Sequence, residues 1–157
     1  MEIEFTLNGR LTYAQIKDDL TLFDLLRQKG CYSVKCGCDT ENCGLCTVLV
    51  DGRPMLSCSF LAARAHKKEI VTLEGVEKEA ETFGLYLARE GAEQCGFCSP
   101  GMIMNVLAME KELDSPTEEE VKEYLAGNLC RCSGYEGQMR AVMKYLNREE
   151  DPVWEEN

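Results

Sequence analysis

Eight of the ten cysteines in this 157-residue chain fall into two groups of four: Cys38, Cys43, Cys46 and Cys58, then Cys95, Cys98, Cys130 and Cys132. This spacing constrains the fold more than any hydrophobic pattern, because four thiols gathered on one centre force distant segments to meet. Two sets of soft thiolate donors imply two metal centres. The first residues lack the basic start and apolar core of a signal peptide, and no apolar run approaches the roughly 20 residues a bilayer span needs. The chain is therefore expected to be soluble and cytoplasmic. In that reducing compartment, closely spaced cysteines are metal ligands rather than a disulfide framework.

A net charge of -11 argues against nucleic acid and against an anionic membrane surface, both of which are bound through clustered Lys and Arg. The acidic runs at 118–120, 149–151 and 155–156 read as solvated surface that maintains solubility. If the chain divides into two small domains, each buries little apolar surface, so a metal centre in each would supply a cross-link that burial alone does not.

The local patterns divide the chain near residue 76. Ile3, Phe5 and Leu7 alternate with polar residues before Asn8-Gly9, which predicts a hairpin closed by a strand over 11–16. Thr21 precedes Leu22, Leu25 and Leu26 at helical spacing, and Gly30 follows as a stop. A second hairpin is predicted from 47–50 to 55–56 across Asp51-Gly52, with one more strand over 70–73. The second half reads as four helices. One is centred on 83–89. Another starts with Ser99 as N-cap and Pro100 at the first helical position. A third opens on a Thr117/Glu120 capping box. The last has Met139, Val142, Met143 and Leu146 as its apolar face. The methionines are read as core. The fold class is α+β, with 1–76 as a strand-rich domain and 77–157 as a helical bundle.

The spacing Cys38-x4-Cys43-x2-Cys46, with Cys58 further on, is that of plant-type [2Fe-2S] sites. Zinc is the rival metal, since Cys95-x-x-Cys98 also suits a four-cysteine zinc site. Three features favour iron: the long first loop; Gly37, Gly44 and Gly96, which let backbone amides approach bridging sulfides; and two sets made only of thiolates. With His66 as the one histidine, a mixed Cys/His zinc site or a two-histidine cluster is hard to build, and His66 reads as a surface residue. The pairs Cys95/Cys98 and Cys130/Cys132 each precede a helix start, where N–H groups stabilise negative charge. Cys31 and Cys36 are left as free thiols. No side chain is required for acid-base or nucleophilic chemistry, and no nucleotide or flavin fingerprint is visible.

Four stretches together resemble the iron-sulfur subunit of the molybdenum hydroxylases, the xanthine dehydrogenase and aldehyde oxidase family. They are Val34-Lys35-Cys36-Gly37-Cys38, Cys43-Gly44-Leu45-Cys46-Thr47-Val48, Gln94-Cys95-Gly96-Phe97-Cys98-Ser99-Pro100-Gly101 and Gly127-Asn128-Leu129-Cys130-Arg131-Cys132-Ser133-Gly134-Tyr135. The resemblance spans nearly the whole chain. It implies a plant-ferredoxin-like β-grasp domain whose [2Fe-2S] cluster is held by Cys38, Cys43, Cys46 and Cys58. A four-helix bundle follows, whose cluster is held by Cys95, Cys98, Cys130 and Cys132. It further implies that Gln94 and the neighbourhood of Cys132 touch the pterin of a molybdenum cofactor on a large partner subunit, and that a medium subunit carries FAD. The complex would be a hetero-oligomer, such as a dimer of heterotrimers. Gly44-Leu45, where the family usually has Gly-Ala, and Glu136-Gly137 after Tyr135 depart from the pattern without removing a ligand.

The expected function is one-electron transfer from the molybdenum-pterin centre to the flavin subunit. A free-standing two-cluster ferredoxin and a structural protein with two zinc sites are the alternatives.

Overall fold

The computed structural model describes residues 1–148; the acidic runs at 149–151 and 155–156 lie outside them. The first hairpin forms as predicted. β1 (Glu2–Leu7) and β2 (Arg10–Gln15) pair antiparallel across Asn8 and Gly9, both at positive φ, the turn geometry that matches strand twist. Ile3 and Phe5 on one face of β1 bury against α1 (Leu22–Gln28), whose N-cap hydroxyl, Thr21 Oγ1, accepts the Asp24 N–H at 3.1 Å.

β3 (Thr47–Val50) and β4 (Arg53–Leu56) form the second hairpin, and β5 (Glu69–Val71) completes a five-stranded sheet in the order β2-β1-β5-β3-β4. β1 and β5 run parallel and the other pairs antiparallel. β5 is shorter than the predicted 70–73. The Thr72 N–H donates to Asn8 Oδ1 at 2.9 Å, and Leu73–Gly75 coils into a 3-10 turn, so the chain leaves the ladder.

Four helices follow. α2 (Glu77–Arg89) begins well before Phe83, because Glu77 and Glu79 suit a helix N-terminus although they carry no apolar signal. α3 (Ser99–Glu112) begins one residue earlier than predicted. Cys98 is its N-cap, Pro100 sits one place further in, and the Ser99 hydroxyl donates to Glu93 Oε1 at 2.8 Å instead of capping. α4 (Glu118–Leu125) opens on the predicted capping box. α5 (Glu136–Leu146) is rotated from the predicted face. Gln138, Ala141, Val142 and Tyr145 form its buried seam, with Met139, Met143 and Leu146 on the flank. Tyr145 sets that rotation by meeting Phe83 and Tyr86 edge-on, with ring centroids 5.1 and 5.6 Å away.

The sheet has two covered faces. Val48, Val50 and Ile70 point towards α1, while Leu49 and Val71 point the other way and pack on Met104 and Ala108 of α3. The arrangement is α+β. Among the described residues, no helix is long and apolar enough to cross a membrane.

Candidate metal centres

The first cysteine group lies on the loop that links α1 to β3 and on a 3-10 turn, Ser57–Ser59, after β4. Buried Val34 and the Lys35 N–H to Leu45 O bond anchor the loop. Ser57 ties the turn to it, donating both its N–H and its hydroxyl to Cys46 O, the latter at 2.7 Å. This brings the Cys46 and Cys58 sulfurs to 3.3 Å. Cys38 and Cys43 form a second hydrogen-bonded pair.

The electrostatics follow the pairing. Backbone N–H groups of Asn42 and Thr40, with Cys43, draw the Cys38 thiol down to about 6, so it is a thiolate at neutral pH. Burial raises Cys43. Burial, then the Cys46 thiol, pushes Cys58 up to about 12.

The second group comes from the α2–α3 and α4–α5 connections. The Cys95 and Cys132 sulfurs are 3.5 Å apart, and Cys98 is hydrogen-bonded to Cys130. Burial opposes ionisation of Cys130, but the Ser133 hydroxyl (3.2 Å) and N–H outweigh it and bring the thiol to about 7. Its partner Cys98 is pushed up to about 11 by burial and by Cys130. The Phe97 N–H and Cys132 lower Cys95, which in turn raises Cys132.

The two groups face each other. One cavity of about 400 Å³ is lined by Cys38 and Cys43 from the first group and by all four cysteines of the second, with Phe97 and Leu129 between them. The Leu129 N–H donates to Cys43 O at 2.9 Å, a direct bond between the two cysteine loops. Gln94, predicted to reach a pterin, donates its side-chain N–H to Cys132 O at 3.2 Å.

Two of the glycines also serve close packing. A Cβ at Gly44 would collide with Gly127 O and stand 2.7 Å from Asn128 Nδ2, so Gly44 admits the second loop. At Gly37 the same atom would stand 2.7 Å from Leu45 Cδ2, which shows how the chain accommodates Leu45 in place of a smaller residue. Ser57 and Gln138 carry no role in the sequence reading, and Ser133 and Asn128 enter it only as parts of the stretch from Gly127 to Tyr135. Ser57, adjacent to Cys58, and Ser133, adjacent to Cys132, carry a local signal.

The donor set fits [2Fe-2S] clusters. Sulfurs this close cannot all ionise without a cation between them. Among the described residues, no three His, Cys, Asp or Glu side chains stand together as a single-ion site; the thiols come in twos. His66 is exposed and accepts the Glu4 N–H, Cys31 lies in the apolar cluster under α1, and the Cys36 thiol donates to Cys38 O.

Residues 5–73 match the family described as a 2Fe-2S iron-sulfur cluster binding domain, and residues 72–143 match the [2Fe-2S] binding domain. The chain is 46% identical over 145 residues to the xanthine dehydrogenase iron-sulfur-binding subunit of Escherichia coli O157:H7, covering 90% of this chain and 91% of that one. This chain is an iron-sulfur subunit of the molybdenum hydroxylase family. Another such subunit, the nicotinate dehydrogenase small FeS subunit of Eubacterium barkeri, is 41% identical, covering 85% of this chain and 87% of its own length. A chain in the crystal structure of quinoline 2-oxidoreductase from Pseudomonas putida 86 superposes with a TM-score of 0.83 at 37% identity, covering 96% of this chain and 98% of that chain. In the aldehyde oxidoreductase from Desulfovibrio desulfuricans the TM-score is 0.86 at 33% identity; there the match covers 95% of this chain but only 17% of the longer one. As an iron-sulfur subunit with two cluster-binding domains, this chain carries two [2Fe-2S] clusters and serves electron transfer in a molybdenum-dependent oxidoreductase.

Proposed function

We propose that this subunit works between a large molybdenum-pterin subunit and a medium FAD subunit, and that its two halves hold one cluster each. Residues 1–76, as a β-grasp domain, would hold the first through Cys38, Cys43, Cys46 and Cys58. Residues 77–157, as a four-helix bundle, would hold the second through Cys95, Cys98, Cys130 and Cys132. Bound there, each cluster supplies one-electron chemistry, which a two-electron hydroxylation on a partner subunit requires.

The observation that carries this reading is that Cys38 and Cys43 of the first group line one cavity with all four cysteines of the second, and that the Leu129–Cys43 bond joins the two loops. The protein's own residues then do three things. The loop amides around Cys38 and the Ser133 donors on Cys130 stabilise thiolates for ligation. The Leu129–Cys43 bond fixes the spacing of the two loops. Cys95 and Cys132 stand exposed beside the exposed apolar side chains Phe97, Leu129 and Tyr135, a surface suited to a covering partner. That exposure favours a subunit over a free-standing ferredoxin, and the pairing of thiols favours two irons per site over one zinc. Gln94, held on Cys132 O, lies where a pterin would meet the second group. A cytoplasmic dimer of heterotrimers is the assembly this implies.

The test is purification of the native complex, with subunits, iron, molybdenum, pterin and FAD quantified. About four irons per chain, with pterin and flavin on separate partners, is the expected outcome; a chain that purifies alone, or with zinc, would sink the reading. In the same complex, Cys132→Ala is expected to abolish one reduced-state EPR signal and leave the other. Two unchanged signals would show that the ligand assignment is wrong.

A further inference from the structure

We infer that Gln138 is a positioning residue that raises the reduction potential of the second cluster by donating its side-chain N–H to Cys98; the inference rests on the ligand set proposed above. Gln138 lies in the first turn of α5 and is 5% exposed. The rest of its seam, Ala141, Val142 and Tyr145, belongs to the apolar cluster shared with α2 and α3. A leucine or methionine would continue that seam without burying an amide. The amide nitrogen instead stands 3.6 Å from Cys98 Sγ, while Oε1 is fully buried and has no hydrogen-bond partner among the described residues. A buried carbonyl left in that state inside an apolar core calls for a reason. The bond to sulfur supplies one, because only the nitrogen end of the amide can face a thiolate.

The bond is placed where it counts. Cys95 and Cys132 are exposed, whereas Cys98 is half-buried at the N-cap of α3. On that inner side, away from water, a fixed N–H dipole acts on the sulfur with little screening. Reduction adds one negative charge to the cluster, so a donor on a ligating sulfur favours the reduced form and the potential rises. Cys130 receives comparable donors from Ser133. Cys98 receives its side-chain donor from a residue 40 positions away on another helix.

The test is an anaerobic, EPR-monitored redox titration of the whole complex, comparing wild type with Gln138→Met. Methionine has a similar length, and Gln138 borders a cavity of about 240 Å³ that gives the new side chain room. Two EPR signals are expected in both proteins. The signal that Cys98→Ala abolishes is expected to titrate with a reduction equilibrium about tenfold less favourable in Gln138→Met, ~59 mV lower for one electron, and the other signal to stay in place. Labelling with side-chain 15N glutamine is expected to give a nitrogen coupling to the reduced second cluster that Gln138→Met loses. Should Gln138→Met fail to assemble, Gln138→Leu, which removes the donor and brings no titratable group, is read in the same titration with the same downward shift expected. Two intact signals with unmoved potentials, or no nitrogen coupling in the wild type, would overturn the inference and leave the ligand set standing. Two signals surviving in Cys98→Ala would overturn the ligand set itself.

Discussion

Gly44 shows how a single residue can serve a reason that its surroundings in sequence do not reveal. Its place between Cys43 and Cys46 invites a role in admitting backbone to a cluster. Its φ of 76° and the collision that a Cβ would make with Gly127 O show that it also lets the α4–α5 connection sit against the first cysteine loop. Gly96 has a similar φ, 69°, but nothing within 4 Å of the Cβ position. The two therefore separate backbone strain from collision. Gly96→Ala is expected to cost about 1–2 kcal/mol from the left-handed backbone alone. Gly44→Ala is expected to cost about 2–4 kcal/mol, because overpacking adds to the strain. Urea unfolding of the cluster-loaded protein measures both, and equal losses would mean that the second loop is not held against Gly44. The thiols themselves were legible, since their type and spacing name the chemistry. The roles of Gln138 and of Asn128, which the sequence shows only as part of a matching stretch, were not, because what gives them a role is a partner 40 or 84 positions away.

At the scale of elements, legibility follows the reach of the determinants. The Asn8-Gly9 hairpin, the Thr21 cap and the Thr117/Glu120 box are each settled within a few residues, and each forms as read. The end of β5 and the start of α3 reach beyond that range. The first depends on Asn8, 64 residues from Thr72, and the second on Glu93 taking the Ser99 hydroxyl. Asn8 begins a longer chain of bonds. Its side chain pairs with Thr72, the Thr72 hydroxyl donates to Glu74, and Glu74 accepts both the N–H and the hydroxyl of Ser33, tying the hairpin turn, the 3-10 turn and the loop after α1 together. Burial would raise the Glu74 carboxyl, but the hydrogen bonds from Ser33 and Thr72 outweigh it and hold the group below its ordinary 4.5. A carboxyl depressed on folding stabilises fully above its unfolded value, and that contribution is lost only as the pH falls through the lower folded value. Glu74→Gln is therefore expected to lower stability by about 1 kcal/mol, a modest figure because the carboxylate is only partly removed from water. The loss should be constant from pH 8 to pH 5.5 in urea unfolding and shrink only below about 4.5. A loss that already fades between pH 8 and pH 6 would assign the effect to another group.

At the scale of the molecule, one apolar cluster lies under α1 and another among α2 to α5. The sequence pattern did not show that α3 belongs to both sides. Its stripe of Met102, Ile103, Val106, Leu107 and Met109 was legible as a face for other helices, whereas Met104 and Ala108 lie on the face turned to the sheet, against Leu49. A helix apolar around most of its circumference is one buried between two layers, and α3 is such a helix. Asn105, on the same helix, adds bonds to Thr47 at 3.3 Å and Asn128 at 2.9 Å, and Gly101 presses against Gly44 and Leu45. The cysteine loops are thus held in register by the contact between sheet and helices, not by either half alone. Met104 is 1% exposed, and Met104→Ala is expected to cost about 2–4 kcal/mol through the cavity it leaves. Because the deleted side chain spans the seam, amide hydrogen exchange in the loaded complex is expected to quicken in β3 and α3 together. Val121→Ala, inside the helical cluster, is expected to quicken exchange in the helices first. If Met104→Ala loosened the helices and left β3 fully protected, the two halves would open independently, and the spacing of the cysteine loops would have to be set by the partner subunits instead.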